Sequence, residues 1–234
     1  AMKSYAFIFA RGGSKGLPGK NIKALLGKPL LQYSIDIALK ISDIDKVFVS
    51  TDNLDIAKIA SSSGAIVIDR PNEIAQDDTP EWQAWKHAIG WVRKHYGDFE
   101  EFISLPATSP LRSVRDVRSA ILKRLNVGAD ICIAVTPASR NPYFNIVKKS
   151  GNNLVELVNK PLNSISRRQD APEVFDITTV VYVANVKFIM NNASIFDGTV
   201  TSIEVPKHRA IDIDDIYDFN FAESILKNTF NGDS

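Results

Sequence analysis

The stretch Ala10-Arg11-Gly12-Gly13-Ser14-Lys15-Gly16-Leu17-Pro18-Gly19-Lys20-Asn21 constrains this chain more than any other. It follows the apolar run Tyr5-Ala6-Phe7-Ile8-Phe9, which reads as a buried strand. Four glycines within the eight positions 12–19 are too many for the interior of an element, so the segment is a loop. Glycines let backbone N–H groups approach a ligand, and successive N–H groups form an anion-binding concavity. Arg11, Lys15 and Lys20 add positive charge around it. A strand that ends in a Gly-rich basic loop, with a helix after it, is a place to hold phosphates.

Two phosphate loops with fixed spacing do not fit. A Walker A loop places four residues between its first glycine and the Gly-Lys pair, then Ser or Thr. Here Gly13 and Gly19 enclose five residues, and Asn21 follows Lys20. The dinucleotide fingerprint Gly-x-Gly-x-x-Gly also fails against glycines at 12, 13, 16 and 19.

Short apolar runs alternate with helical patterns, the rhythm of an α/β fold with a mainly parallel twisted sheet flanked by helices. Strands are expected at 5–9, 46–50, 65–68, 102–105, 130–135, 177–184 and 201–205, and helices from Pro29, over 53–63, 79–96, 114–125, 186–191 and 215–228. Trp82, Trp85 and Trp91 could form a platform for stacked bases, but Trp82, Trp85 and Ile89 share a helical face, which favours core packing. From 136 to 175 the rhythm breaks. Short β-like pieces at 144–148 and 154–157 flank Ser150-Gly151-Asn152-Asn153, a good hairpin turn, and the basic pair Arg167-Arg168 follows. That excursion is too long for an idle loop.

At 234 residues the chain reads as a single domain over 2–234, with 137–175 inserted as a lobe. Lys+Arg of 28 against Asp+Glu of 27 argues against a general nucleic-acid surface. The lone Cys132 lies in an apolar run and excludes a disulfide framework. No apolar run approaches the length of a membrane span and no signal-peptide pattern is seen, so a cytoplasmic protein without membrane partners is expected.

In an open α/β sheet, ligands bind outside the carboxyl ends of the strands. By these strand positions Arg11, Asp52, Arg70, Pro106, Thr108 and Thr136 gather there, giving a cationic, Gly-lined pocket. Asp212-Ile213-Asp214 adds acid. Alternate residues of an extended segment point to the same side, so both carboxylates could share one Mg2+; alternatively Asp214 or Asp215 caps the last helix.

Arg11 to Asn21, together with Ser50-Thr51-Asp52, Arg70-Pro71-x-Glu73, Thr108-Ser109-Pro110-Leu111-Arg112 and Ile211-Asp212-Ile213-Asp214, resembles the acylneuraminate cytidylyltransferases (CMP-sialic acid synthetases) in order and over nearly the whole chain. The resemblance implies a nucleotide-diphospho-sugar transferase-like fold with a β-rich dimerisation lobe, hence a homodimer. It implies CTP bound by Ala10, Arg11, Gly12, Gly13, Ser14, Lys20, Asn21 and Arg70, with Arg11 and Lys20 at the phosphates and Asn21 and Arg70 at the cytosine and ribose. Magnesium would sit on Asp212 and Asp214, and a 2-keto-3-deoxy sugar acid would attack through its anomeric hydroxyl. The acceptor side is expected at Pro106, Thr108, Ser109, Phe144, Arg168, Gln169 and Thr178.

On that side the sequence departs from the family pattern. Pro106 stands where a Gln is usual, Phe144 where some members have Lys, and Phe175-Asp176-Ile177-Thr178-Thr179 where Arg-Pro-Asn-Gly is usual; Arg168 and Gln169 are kept. The expectation is a CMP-synthetase for a nonulosonic acid of another kind, such as a legionaminic type, rather than N-acetylneuraminate. The alternatives are a nucleotidyltransferase with another nucleotide or acceptor, and a non-catalytic nucleotide-binding protein.

Overall fold

A computed structural model describes residues 2–160 and 170–232. Among these, seven strands form one sheet. In chain order they are β1 (Ser4–Phe9), β4 (Lys46–Thr51), β5 (Ile66–Asp69), β6 (Glu101–Ser104), β7 (Ile131–Pro137), β10 (Phe175–Asn185) and β11 (Val200–Glu204). Their spatial order is β11-β7-β10-β6-β1-β4-β5. All neighbouring pairs run parallel except those of β10, which is antiparallel to both β6 and β7. The β1, β4, β5, β6, β7 and β11 carboxyl ends therefore share one edge. Two minor hairpins complete the set: β2 (Ala24–Leu25) with β3 (Lys28–Pro29), and β8 (Val147–Gly151) with β9 (Leu154–Leu157).

Successive strand side chains point to opposite faces, and the sheet is covered on both. Ala6, Ile8, Val47 and Val49 pack with α1 (Leu30–Lys40), α2 (Leu54–Ser62) and α4 (Val114–Val127). Tyr5, Phe7, Phe48 and Phe102 pack on the other face with α3 (Glu81–Tyr96) and α5 (Val186–Asn191). Trp85 belongs to this second core and is buried; the Trp82 indole donates to the Asn192 carbonyl at 2.9 Å. The tryptophans of α3 are packing residues.

Helix starts follow their capping residues. Asn53 accepts from the backbone of Asp55 and Ile56, and Ser113 with Asp116 forms a reciprocal capping box. The closing helix α6 (Ile216–Gly232) begins after Asp215, whose carboxylate accepts from the Asp218 N–H at 2.9 Å, while Asp218 accepts in turn from the Asp214 and Asp215 N–H groups. The cap is thus made by Asp215 and Asp218. The carboxylates of Asp212 and Asp214 are not used in it.

The β8–β9 hairpin turns at Gly151-Asn152-Asn153, all at positive φ (93°, 52° and 60°), a conformation that Gly and Asn tolerate best. Strand extents differ from the sequence reading in the excursion: the piece expected at 144–148 is β8 at 147–151, while β10 starts at Phe175 and β7 runs on to Pro137, because Phe175 pairs with Pro137 before a bulge interrupts the ladder between Ile177 and Tyr182. No helix among the described residues is long and apolar enough to cross a membrane.

Candidate active site

The loop after β1 is braced from several sides. The Ala10 N–H donates to the Ser50 carbonyl at 3.0 Å, which carries the sheet one residue further, and the Gly12 N–H donates to the Asp52 carboxylate at 2.8 Å. The Asn21 amide donates to the Arg11 carbonyl at 3.1 Å, which closes the loop on itself. Gly19 holds φ 69° at the start of a tight helical turn over Lys20–Ile22. Gly16 has a different constraint: a Cβ there would collide with the Asp214 carbonyl oxygen. The loop and the Asp212–Asp214 segment are thus in backbone contact, which no spacing rule announces.

That segment is itself pinned. The Ile213 N–H donates to the Thr108 carbonyl at 2.9 Å, and the Ile213 side chain is buried with Leu25, Leu30 and Phe219. Beside the buried Ile213, Asp212 is half-buried and Asp214 exposed, and Asp214 lies within electrostatic reach of Asp212 and of Lys20. Burial raises the Asp214 carboxyl above its ordinary value and Asp212 adds to the shift, while Lys20 opposes it. Two carboxylates crowd one another beside a lysine.

The cavity at the strand ends has a volume of about 220 Å³ and is lined by Arg11, Gly13, Ser14, Lys20 and Asn21 on one side and Arg70, Thr79, Glu81, Ala84 and Thr108 on another. Gly12 lines a smaller neighbouring cleft beside Asn53. Arg70 is buried, with its backbone N–H on the Thr51 carbonyl and its Nε on the Ile74 carbonyl at 2.8 Å. Burial lowers this guanidinium from its usual range, with Asp52 opposing and Arg11 adding to the shift.

Asp77 enters the same cavity from the opposite rim. Its carboxylate lies 2.5 Å from Arg11 Nη1 and 3.1 Å from Lys15 Nζ, contacts that hold it below the ordinary carboxylate range. An anion therefore already sits on the cations of the phosphate loop. Glu81 behaves oppositely: crowding by the surrounding protein raises its carboxyl, the Trp85 indole and Arg70 offset part of this, and Asp212 adds to it. The Trp85 N–H stands beside Glu81 without meeting hydrogen-bond geometry. Neither acid belongs to a motif named above. The signal available for both was the acidic run Asp77-Asp78-Thr79-Pro80-Glu81, set before a helix at the end of a strand neighbouring a basic loop.

On the acceptor side the turn after β6 is a structural knot. Arg112 is fully buried; its Nε donates to the Val180 carbonyl at 2.6 Å, its Nη1 to the Ser34 hydroxyl at 2.7 Å, and its Nη2 to the Pro106 carbonyl. Burial lowers it to about 9. Ser109 is buried and its hydroxyl lies 2.7 Å from that of Thr179, which also meets Thr108 at 3.3 Å. Thr178 is turned away: its hydroxyl donates to the Ala134 carbonyl at 2.8 Å within the bulge of β10. The residue of that pair that reaches the turn is Thr179. Pro106 offers the turn its carbonyl, and Phe144 sits in a turn closed by Asn141 at the base of the β8–β9 hairpin; neither lines the cavity. Ala10 is buried in the sheet and serves through its backbone. Arg168 and Gln169 lie outside the described residues.

A sequence model of the family described as "Cytidylyltransferase" matches residues 5–184. The chain belongs to the cytidylyltransferase family. Among its relatives, a CMP-N,N'-diacetyllegionaminic acid synthase of Campylobacter jejuni is 31% identical over 94% of this chain and 93% of its own length. An N-acylneuraminate cytidylyltransferase of Escherichia coli O18:K1:H7 is 30% identical over 95% of this chain but only 52% of its own length. The fold of this cytidylyltransferase is that of a CMP:2-keto-3-deoxy-manno-octonic acid synthetase solved in complex with CTP, with a TM-score of 0.72, 17% identity, and coverage of 97% of this chain and 99% of that one. The nucleotidyltransferase activity expected from the phosphate loop and the α/β architecture both agree with this membership.

Proposed function

We propose that this cytidylyltransferase joins CMP from CTP to the anomeric hydroxyl of a 2-keto-3-deoxy sugar acid of the nonulosonic class. The observation that carries the reading is the convergence of a braced, cationic glycine loop with the Asp212–Asp214 pair across the Gly16 contact. The triphosphate lies along residues 11–20, where backbone N–H groups and the side chains of Arg11 and Lys20 neutralise its charge. The sugar hydroxyl oxygen attacks the α-phosphorus in line. An O–P bond forms, the bond to the bridging oxygen of the β-phosphate breaks, pyrophosphate departs, and the hydroxyl proton is released. Transfer of this kind depends on positioning and charge neutralisation, so it needs no covalent nucleophile from the protein.

The residues present fit magnesium. The carboxylates of Asp212 and Asp214 are free of the helix cap, and Asp214 is raised by burial and by the neighbouring Asp212, a cost that a cation relieves. Two carboxylates leave positions for phosphate oxygens and water, the ligand set magnesium prefers; no group of three or more His, Cys, Asp or Glu suited to a metal occurs among the described residues. When bound, the ion supplies charge neutralisation at the phosphates. Lys20 holds the adjoining position on the loop.

Relatives at similar identity carry names with different sugar acids: N,N'-diacetyllegionaminic acid, an N-acylneuraminate and pseudaminic acid. The legionaminic type is the reading favoured by the 31% identity to a CMP-N,N'-diacetyllegionaminic acid synthase over 93% of that protein's length. The chain is read as one catalytic domain whose 137–175 excursion is a dimerisation lobe, because Leu154 and Val155 of β9 are 65% and 61% exposed with no core of their own. The test is pyrophosphate release from CTP and magnesium against N-acetylneuraminate, legionaminate, pseudaminate and 3-deoxy-octulosonate. Release with a nonulosonic acid is expected; absence of release with every acceptor, in a protein that binds CTP, would favour the non-catalytic alternative.

A further inference from the structure

Three hydroxyls meet where the turn after β6 touches β10. Thr179 Oγ1 lies 2.7 Å from Ser109 Oγ and 3.3 Å from Thr108 Oγ1. The three differ in their surroundings. Ser109 is fully enclosed, Thr179 is half-buried, and Thr108 is half-buried and lines the cavity at the strand ends. A hydroxyl carries one donor and accepts up to twice, so a row of three has two consistent directions. The protons run from Ser109 through Thr179 to Thr108, or they run back.

Burial decides between the two. Among the described residues, Thr179 is the only hydrogen-bond partner of the Ser109 hydroxyl. If Thr179 donated to Ser109, the Ser109 proton would be left inside the protein without an acceptor, which is the costlier arrangement. With Ser109 donating, Thr179 accepts and has its own proton free for Thr108. Thr108 then accepts in turn, and its proton is left for the cavity. The charge of the cavity asks for the same direction. Arg11, Lys20 and Arg70 line it, so its ligand is anionic, and a hydroxyl proton attracts such a ligand where a lone pair would repel it. Thr108 is also fixed from the backbone side, since its carbonyl accepts from the Ile213 N–H at 2.9 Å.

We propose that Thr179 is a positioning residue: by accepting from Ser109 and donating to Thr108, it holds the Thr108 hydroxyl as a hydrogen-bond donor to an anionic oxygen of the bound substrate. The inference rests on the reaction given under Proposed function, whose two substrates bring such oxygens as phosphate and as carboxylate. Thr179 does not line the cavity and acts through its neighbour. Thr178 cannot replace it, because its hydroxyl is spent on the Ala134 carbonyl.

The test is a mutant cycle read by steady-state kinetics of pyrophosphate release, with CTP, magnesium and whichever of the sugar acids named above turns over fastest. Thr179→Val keeps the branched shape and removes the hydroxyl. It should raise the KM of one substrate about three- to tenfold, the scale of one hydrogen bond, with kcat held within about twofold. A rise for CTP puts the Thr108 donor on a phosphate oxygen; a rise for the sugar acid puts it on the carboxylate. Thr179→Ser should restore the wild-type value, and Ser109→Ala, which removes the start of the row, should reproduce part of the rise. Thr108→Val should cost at least as much as Thr179→Val. The two together should cost no more than Thr108→Val alone, because Thr179 acts only through Thr108. Unchanged KM values in Thr179→Val overturn the proposal, as do additive losses in the double variant or a loss that Thr179→Ser does not repair. A wild type that releases no pyrophosphate with any of the sugar acids would instead overturn the wider reading of the reaction.

Discussion

The nucleotide half and the 137–175 excursion of this molecule are built on opposite plans. Around the phosphate loop contacts tie the loop to itself and to distant segments: Asn21 to Arg11 within the loop, Gly12 to Asp52 and Ile213 to Thr108 between segments, and Gly16 packed against Asp214. In the excursion, β8 is exposed along its whole length and the apolar side chains of β9 face outward. The contrast follows from the chemistry each half serves. Neutralising developing charge at phosphorus requires donors fixed before the substrate arrives. The described part of the excursion carries no such bracing, and its β8–β9 hairpin stands apart from the seven-stranded sheet.

The largest effect should come from the fixed half. Lys20→Ala should reduce kcat by about a hundredfold to a thousandfold, the usual cost of losing one preorganised charge-stabilising group, with no change in thermal midpoint. Steady-state kinetics beside a melting curve checks both parts; full activity would remove Lys20 from the chemistry.

The interior of the sheet half comes next. Arg112 joins α1, the turn after β6 and β10 through the buried Ser34 and Val180 and the half-buried Pro106. Arg112→Met should lower folding stability by about 2–4 kcal/mol, since it removes three hydrogen bonds from a buried guanidinium and takes a donor from the Val180 carbonyl. Urea unfolding measures this, and a loss under 0.5 kcal/mol would show that the knot is not structural.

A smaller effect separates the loop from its own counter-ion. Asp77 stands on Arg11 and Lys15 where a phosphate would stand. Asp77→Asn should therefore lower the KM for CTP several-fold, and lower the inhibition constant of pyrophosphate in the same direction. A raised KM would mean that Asp77 holds Arg11 in its working position and does not compete with the ligand.

Much of this was legible in the letters. The loop, the strand ends and the alternation at Asp212-Ile213-Asp214 all follow local rules, and each lies where the parallel order of β1, β4, β5 and β6 sends it. What was not legible depends on elements far apart in sequence. No periodicity says that β10 runs antiparallel between β6 and β7, and it is this insertion, with its bulge, that turns Thr178 into the sheet and brings Thr179 to Ser109. Glu81 and Asp77 were hidden for another reason. They stand on the segment leading into α3, outside every motif, and acquire meaning only when the fold sets that segment across from the basic loop.

The central claim is that nucleotide binding is complete in the sheet half and independent of the excursion. Calorimetric titration of CTP with magnesium into wild type and Val155→Glu, in the absence of any sugar acid, tests it most directly. The account predicts one CTP site per chain with the same Kd, within about twofold, in both proteins. Binding that Val155→Glu abolishes, or no binding of CTP by wild type, would contradict it.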